Sequence, residues 1–543
     1  MAQVHGGRLV AQALKRHGIT HVFTLCGGHI QAIYDGCIDE NIRVIDTRHE
    51  QTAGHAADGY ARVSGRPGVC LVTAGPGITD VVTAVANAQR AGVPMICIGG
   101  AGPKTLCDMG SLQDMDSVTL MRPISKWSVQ IPEAGRIKEY IDSAFRIAQA
   151  NLPGPVYLEM PLDLLMNYAD DADPLTGPIL PVPRPAGDPN GIDRAAEILK
   201  KAERPCFIIG AQIRWSERRD VVREFADAVQ VPFFLNGMAR GALPYTHASS
   251  FTRSRRQALL ESDAVFVFGT PFDFRVDYGR PGTWNPSAKI VQIDLDGNEL
   301  GRNRCVDVAI HGDSGLVLSQ LLRAVGKKQA PGWLSALREK ETQQRAKMSA
   351  EINSDADPPN PLRVCHEVGK RLGKHDVVVG DGGDFVATAA YVIPLEWPQL
   401  WMDPGPLGTL GIGPGYAMAA QLLRPEARTV IMYGDGSFGL NGMEFEAMVR
   451  QKIPVIAVIG NDAGWTQIRR GQVAIYGEER AVATALAYTR YDKVVEALGG
   501  RGYNVESVAE LGPALDAAFA SGEPACVNVK IATSDFRKNA ISV

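Results

Sequence analysis

Residues 432–465, with YGDGSFGLNGMEFEAMVRQKIPVIAVIGNDAGW at their heart, constrain the fold of this chain more than any other stretch. They read as a buried apolar strand, a glycine turn carrying one acid, a helix, a second apolar strand and then a second acid. Two strands joined through a helix run parallel as neighbours, because a parallel pair needs a crossover of about this length. Asp435 and Asp462 therefore stand at the carboxyl ends of adjacent strands, where open α/β sheets bind their ligands. The glycines of Gly434-Asp435-Gly436 let backbone N–H groups approach an anion, and Ser437 is expected to open the helix as a polar cap. Two hard carboxylates beside such a turn suit magnesium, which takes carboxylate, carbonyl and phosphate oxygens and rarely sits in an all-protein cage. A metal-bridged diphosphate group is the expectation.

The same alternation recurs along the chain. GVCLVTAGPG and VPMICIGG lie near the start, PCFIIGAQ, AVFVFGTPF and KIVQIDLD in the middle, and VVVGDGG, TVIMYGDG and PVIAVIGND toward the end. Short apolar strands that end in glycine turns and alternate with helices specify parallel sheets covered on both faces. A single core stops growing at about 250–300 residues, so 543 residues call for several domains. Two stretches read as linkers: residues 170–191 (DDADPLTGPILPVPRPAGDPNG), and residues 326–361, which mix a charged helix, LREKETQQRAKM, with DADPPNP. The expected fold is α/β, three tandem doubly wound parallel-sheet domains over residues 1–170, 190–328 and 360–543, the central one Rossmann-like.

With 45% apolar and 21% charged residues and a net charge of −4, the composition is that of an ordinary globular protein. Without a long basic run, neither nucleic acid nor an anionic membrane is an expected partner. The start, MAQVHGGRLVAQALKRHGI, has an amphipathic helical pattern rather than the continuous apolar core of a signal peptide, and no apolar run approaches a membrane span. Nine scattered cysteines without a CxxC pair fit a reduced, cytoplasmic setting.

A lone GDGS is a common turn. GDG followed 27 positions later by the acid of GNDAGW is far more specific, and it resembles the signature of the thiamine diphosphate enzymes related to acetolactate synthase. The likeness extends over nearly the whole chain. It implies that Asp435 and Asp462 bind Mg²⁺ through side chains and Gly464 through its backbone carbonyl. Many relatives carry Asn where Asp462 stands; the extra charge is expected to strengthen metal dependence. Gly434, Gly436 and Ser437 are implied to cradle the diphosphate with Gly383, Asp384 and Phe385 of VVVGDGGDF. Leu410, in PGPLGTLGIGPGYAMAA, falls where relatives place a bulky apolar residue under the bent cofactor. Trp465 is expected beside the cofactor and, with Gln467, toward the substrate.

In the first domain, Arg48-His49-Glu50 follows the strand-like IRVIDT. An acid there suits a helix N-terminus on its own, but HEQTAGHAADGYAR is similar to the family segment that carries the activating glutamate. A carboxyl group bonded to the cofactor's aminopyrimidine favours the tautomer whose nitrogen removes the thiazolium proton, and Glu50 is expected in that role. The small residues after it are expected to pack the helix closely against something flat. Thr73, Gly75 and Pro76, in TAGPG, resemble the turn on the pyrimidine side. Gln113 in GSLQDMD and His29 in CGGH are candidates to reach the substrate, the histidine as a donor to a carbonyl. In the family Glu50 and the metal acids meet only across a subunit interface, which implies a homodimer at least and a homotetramer by preference.

Such enzymes make or break a bond next to a carbonyl. GGHI, VIGNDAGWTQIRR and DFRKNAISV look like 2-hydroxyacyl-CoA lyase and acetolactate synthase-like proteins. They favour cleavage or formation of a 2-hydroxyacyl-CoA, with formyl-CoA and an aldehyde or ketone as the other side. Acetolactate synthesis and 2-oxoacid decarboxylation or oxidation are the alternatives, so the substrate is an acyl-CoA or a 2-oxoacid. A non-catalytic scaffold of the same fold is disfavoured by Glu50, Asp435 and Asp462 occurring together. Relatives bind ADP, FAD or nothing in the central domain, and Arg275 of GTPFDFRVDYG is either a nucleotide contact or a surface ion-pair partner. Arg240, Arg275 and the tail pair Arg537-Lys538 are available to a CoA diphosphate, and the tail is expected to act as a lid.

Overall fold

The computed structural model describes residues 3–171, 178–395, 400–534 and 536. Three six-stranded sheets, each parallel throughout, lie along the chain. The first runs in the order Arg43–Asp46, His21–Thr24, Gly68–Val72, Met95–Ala101, Pro155–Pro161 and Trp127–Gln130. The central sheet runs Ser250–Phe251, Phe233–Leu235, Pro205–Ile209, Ala264–Phe268, Lys289–Asp294 and Val308–His311. The third runs Leu400–Met402, Val377–Asp381, Thr429–Gly434, Val455–Asn461, Ala525–Lys530 and Arg501–Val505. The inner strands are buried on both faces, as with every residue of Val455–Asn461, which is why they read as continuous apolar runs.

Both linker readings change at their edges. Pro189 begins the helix Pro189–Lys201, since a proline in the first turn loses only an N–H that has no helical partner anyway. The charged helix is longer than its charged core, Pro331–Ile352. Its Trp333 and Leu337 are buried in the core of the central sheet, and Lys328–Gln329 pairs with Val229–Gln230. The central core thus reaches past residue 328, because two apolar side chains near the helix start outweigh the polar pattern that follows.

The small-residue helix Glu50–Ser64 is buried almost throughout. It packs against another helix, Gly413–Leu423 of the third domain, rather than against a flat group. Two glycines set the approach: a Cβ on Gly59 would fall 2.7 Å from the Tyr416 Cα, and one on Gly415 would fall 2.7 Å from the Ala56 nitrogen. The first and third domains consequently share one apolar core. A fully buried polar knot crosses the same contact. Asp58 accepts from Arg62 Nε at 2.7 Å, from Asn87 Nδ2 at 2.9 Å and from the Tyr416 hydroxyl at 2.6 Å.

Candidate functional site

In the third sheet the strand order reverses beside Val377–Asp381, whose neighbours are Leu400–Met402 on one side and Thr429–Gly434 on the other. Ligands bind at such switch points. Here two glycine turns face each other so closely that a Cβ on Gly382 would lie 2.7 Å from the Gly434 nitrogen. Asp435 follows, 3% exposed. Its Oδ1 accepts the Gly436 N–H at 2.8 Å and its Oδ2 the Gly464 N–H at 3.1 Å. Burial, and next the charge of Asp462, push its pKa up to about 7. Asp462 follows the adjacent strand Val455–Asn461, accepts from the Thr466 hydroxyl and is also raised, mainly by burial. Ala463 turns the chain at a φ of 55° between Asp462 and Gly464.

The surrounding residues lock this pair of turns. Trp465 lies over Gly436, where a Cβ would meet the indole at 2.6 Å, and Phe385 lies over Gly460, where a Cβ would meet the ring at 2.5 Å. Gly383 faces the Gln467 amide, 2.8 Å from where a Cβ would be. Asp384 forms a two-pronged pair with Arg470 at 2.6 and 2.8 Å. Ser437 does not cap the helix as expected: the helix starts at Asp435, with extended Gly434 before it. Its hydroxyl donates instead to Asp381 at 2.9 Å, and that carboxylate also accepts the Gly411 and Gly413 N–H groups at 3.0 and 2.6 Å. Neither Asp381 nor Arg470 was singled out from the sequence; the GDGGD turn gave a signal for the first, and nothing local pointed to the second.

These residues fit magnesium. Buried Asp435, whose charged form half-buried Asp462 disfavours, would gain from a cation between the two, and the Gly464 carbonyl would offer a third oxygen. Among the described residues no group of three or more His, Cys, Asp or Glu side chains could hold a metal ion. A bound diphosphate or water would complete the oxygens around such an ion, the usual magnesium arrangement.

A cavity of about 850 Å³ opens from this site toward the central domain. Gly383, Asp384, Phe385, Leu410, Gly434, Asp435, Gly436, Ser437, Asp462, Gly464 and Trp465 line it. Leu410 is half-buried, at the cavity wall rather than in a core. Arg240, Arg253, Arg255, Arg256 and Arg275 of the central domain line the same cavity. Arg275 lines the cavity, and its guanidinium pairs with Asp273 at 2.6 Å, the ion-pair reading of the two. Arg240 stacks on Trp401 and donates to the Ala390 carbonyl at 2.7 Å. Arg253 packs on the rings of Tyr391 and Phe536, 4.7 and 5.0 Å from their centroids. Its backbone is set by buried Glu341, which accepts the Arg253 and Ser254 N–H groups at 2.8 and 2.9 Å. Arg537 and Lys538 lie outside the described residues.

The first domain gathers the other candidates. Glu50 opens its helix, is 7% exposed, and has its pKa raised chiefly by burial. A Cβ on Gly77 would lie 3.4 Å from Glu50 Oε1. Thr73 Oγ1 and His29 Nδ1 are 3.3 Å apart. Gly75, at a φ of 60°, packs on Gln113, 2.8 Å from where its Cβ would be, and Pro76 begins the helix Pro76–Ala91. The His29 pKa is lowered by burial. None of these residues lines the cavity. One chain therefore carries two clusters, one with Asp435 and Asp462 at the cavity and one with the buried Glu50 outside its lining.

The fold and these clusters define a class. The chain belongs to the thiamine pyrophosphate enzymes: the N-terminal TPP binding domain of that family matches residues 4–120, the central domain residues 192–321, and the C-terminal TPP binding domain residues 381–529. Within it the chain is similar to proteins of two descriptions. It is 40% identical to the acetolactate synthase large subunit IlvG of Mycobacterium tuberculosis, over 97% of this chain and 95% of that one. It is 38% identical to the 2-hydroxyacyl-CoA lyase 2 of Homo sapiens, over 99% of this chain and 92% of that one. The relative of the latter description in Caenorhabditis elegans is 37% identical, over 99% and 91%. The protein is a thiamine diphosphate-dependent enzyme of the lyase or acetolactate synthase-like kind.

Proposed function

We propose that the chain cleaves or forms 2-hydroxyacyl-CoA thioesters, with formyl-CoA and an aldehyde or ketone on the other side of the reaction. The observation that carries this reading is the five arginines that line the same cavity as Asp435. Phosphates of a CoA thioester find charge-assisted donors there, and the thioester end then points toward the metal acids. Mg²⁺ is held by Asp435, Asp462 and the Gly464 carbonyl. Gly383, Asp384, Phe385, Gly434, Gly436 and Ser437 surround the diphosphate, with Leu410 and Trp465 against the rest of the cofactor. Bound thiamine diphosphate supplies an acidic carbon whose conjugate base adds to a carbonyl carbon.

Glu50 holds the proton that this activation needs. A carboxyl raised by burial is suited to share a proton with a ring nitrogen instead of shedding it to water. Thr73, Gly75 and Pro76 shape the turn beside it, and His29 and Gln113 offer donors to the substrate carbonyl. Because Glu50 lies outside the cavity of its own chain, the active unit is a homodimer or a homotetramer. Arg275 is the candidate contact for ADP or FAD in the central domain. Nine free thiols favour a cytoplasmic setting, and among the described residues no helix is long and apolar enough to cross a membrane.

The acetolactate synthase reading is favoured by the 40% identity to the mycobacterial protein of that description. A product assay separates the two. Release of formyl-CoA from a 2-hydroxyacyl-CoA supports the lyase; acetolactate from pyruvate with no formyl-CoA supports the synthase.

A further inference from the structure

Behind the metal loop runs a line of asparagines that neither the motifs nor the reaction accounts for. The Ala463 N–H donates to Asn461 Oδ1 at 3.2 Å. Asn461 Nδ2 donates to Asn528 Oδ1 at 3.2 Å, Asn528 Nδ2 to Asn504 Oδ1 at 3.1 Å, and Asn504 Nδ2 to Glu506 Oε1 at 3.1 Å. Every donor points the same way, from the metal loop across three strands to an exposed carboxylate. Asn461 is 1% exposed and Asn528 3%. Asn504 and Asn528 are direct partners on neighbouring strands, and Asn461 lies one strand further in the same sheet. Asn461 and Asn528 also both donate to the Thr489 carbonyl, at 3.1 and 3.3 Å. The segment ending there flanks the loop: Leu486 N–H donates to Ala463 O at 2.7 Å and Trp465 N–H to Thr484 O at 2.9 Å.

Two buried amides and a half-buried third in one sheet cost desolvation that only a complete set of partners offsets. Head-to-tail amides polarise one another, and a carboxylate as the last acceptor draws each donor in the same direction. The near end of the line is the amide of Ala463, a non-glycine residue at a positive φ of 55°. That conformation is disfavoured for alanine and persists only where its surroundings fix it. It decides where the Asp462 side chain and the Gly464 carbonyl point.

We infer that Asn528, through Asn461, is a positioning residue for the metal loop. It holds Ala463 in its turn so that Asp462 and Gly464 present their oxygens together before any ion arrives. This rests on the magnesium reading proposed above. Groups that orient metal ligands contribute about 10- to 100-fold in metal affinity.

The test uses the full chain with Asn528→Leu, which keeps the volume and removes the amide. Magnesium-dependent thiamine diphosphate binding is measured by calorimetry, and amide hydrogen exchange of residues 461–465 is measured in the metal-free protein. The magnesium concentration for half-maximal cofactor binding should rise about tenfold or more, while kcat at saturating magnesium changes less than about threefold. Exchange at Ala463 in the metal-free protein should quicken by about tenfold or more. If Asn528→Leu does not fold, Asn504→Ala, on the half-buried end of the line, should raise the magnesium requirement by a smaller but measurable factor. An unchanged magnesium requirement with unchanged exchange in a folded variant overturns the inference, even if the melting temperature falls. Cofactor binding by the unsubstituted protein with no need of magnesium overturns the metal reading and the inference together, whereas a normal requirement that the variants do not alter overturns the inference alone.

Discussion

At the scale of single residues, the proposed chemistry rests on Glu50, Asp435 and Asp462, whose pKa values burial raises. Glu50→Gln should slow hydrogen exchange at the thiazolium carbon of the bound cofactor by about two orders of magnitude or more. Proton NMR after a deuterium quench measures it, and the melting temperature should hardly move. Asp435→Ala should abolish magnesium-dependent cofactor binding in calorimetry, because the Gly436 and Gly464 amides lose their shared acceptor along with the ion. These acids were legible in the sequence because each follows an apolar strand-like run, inside a motif that resembles the family's. Their partners were not. Asp384 and Arg470 stand 86 positions apart and meet only through the fold. Ser437 looked like a helix cap because serine commonly is one, but its hydroxyl serves the buried Asp381 instead.

Among the elements, the helix pair Glu50–Ser64 and Gly413–Leu423 ties the first domain to the third. Gly59→Leu should destabilise the protein by about 1–3 kcal/mol, as overpacking does, read as a lower urea midpoint, because the new side chain meets Tyr416 backbone rather than a movable tip. A second tie is pH-sensitive. Glu444 accepts the Arg48 N–H through both oxygens at 3.1 and 2.9 Å, and burial pushes its pKa up to about 7 from the ordinary 4.5. A folded pKa above the unfolded one means that the linked stability is complete below about 4.5 and is lost as pH rises through about 7. Urea midpoints should therefore fall between pH 5 and 8, and Glu444→Gln should flatten that fall. The parallel sheets were readable from apolar runs closed by glycine turns. The packing of the small-residue helix was not, since alanines and glycines announce close approach without naming the partner. The reach of Trp333 and Leu337 into the central core was hidden for a similar reason, two apolar residues within a charged helix.

At the scale of the whole molecule, the residues proposed for the chemistry fall into two clusters. Asp435 and Asp462 line a cavity; Glu50, buried beside Gly77, does not. Exposed apolar side chains occur in both neighbourhoods, Leu112 and Met115 near Gln113 and Ile468, Ile475 and Val482 after Trp465, as expected of faces that another chain covers. We propose that a working site takes its glutamate from one chain and its metal acids from another. Glu50→Gln and Asp435→Ala chains, each inactive alone, provide the direct measurement when they are co-refolded and assayed with saturating thiamine diphosphate and magnesium. Random pairing makes half of the dimers mixed, and each mixed dimer holds one intact site of its two, so activity should return to roughly a quarter of the unsubstituted protein's. No recovery from a mixture shown to contain mixed dimers would place both clusters' work within one chain and contradict the account.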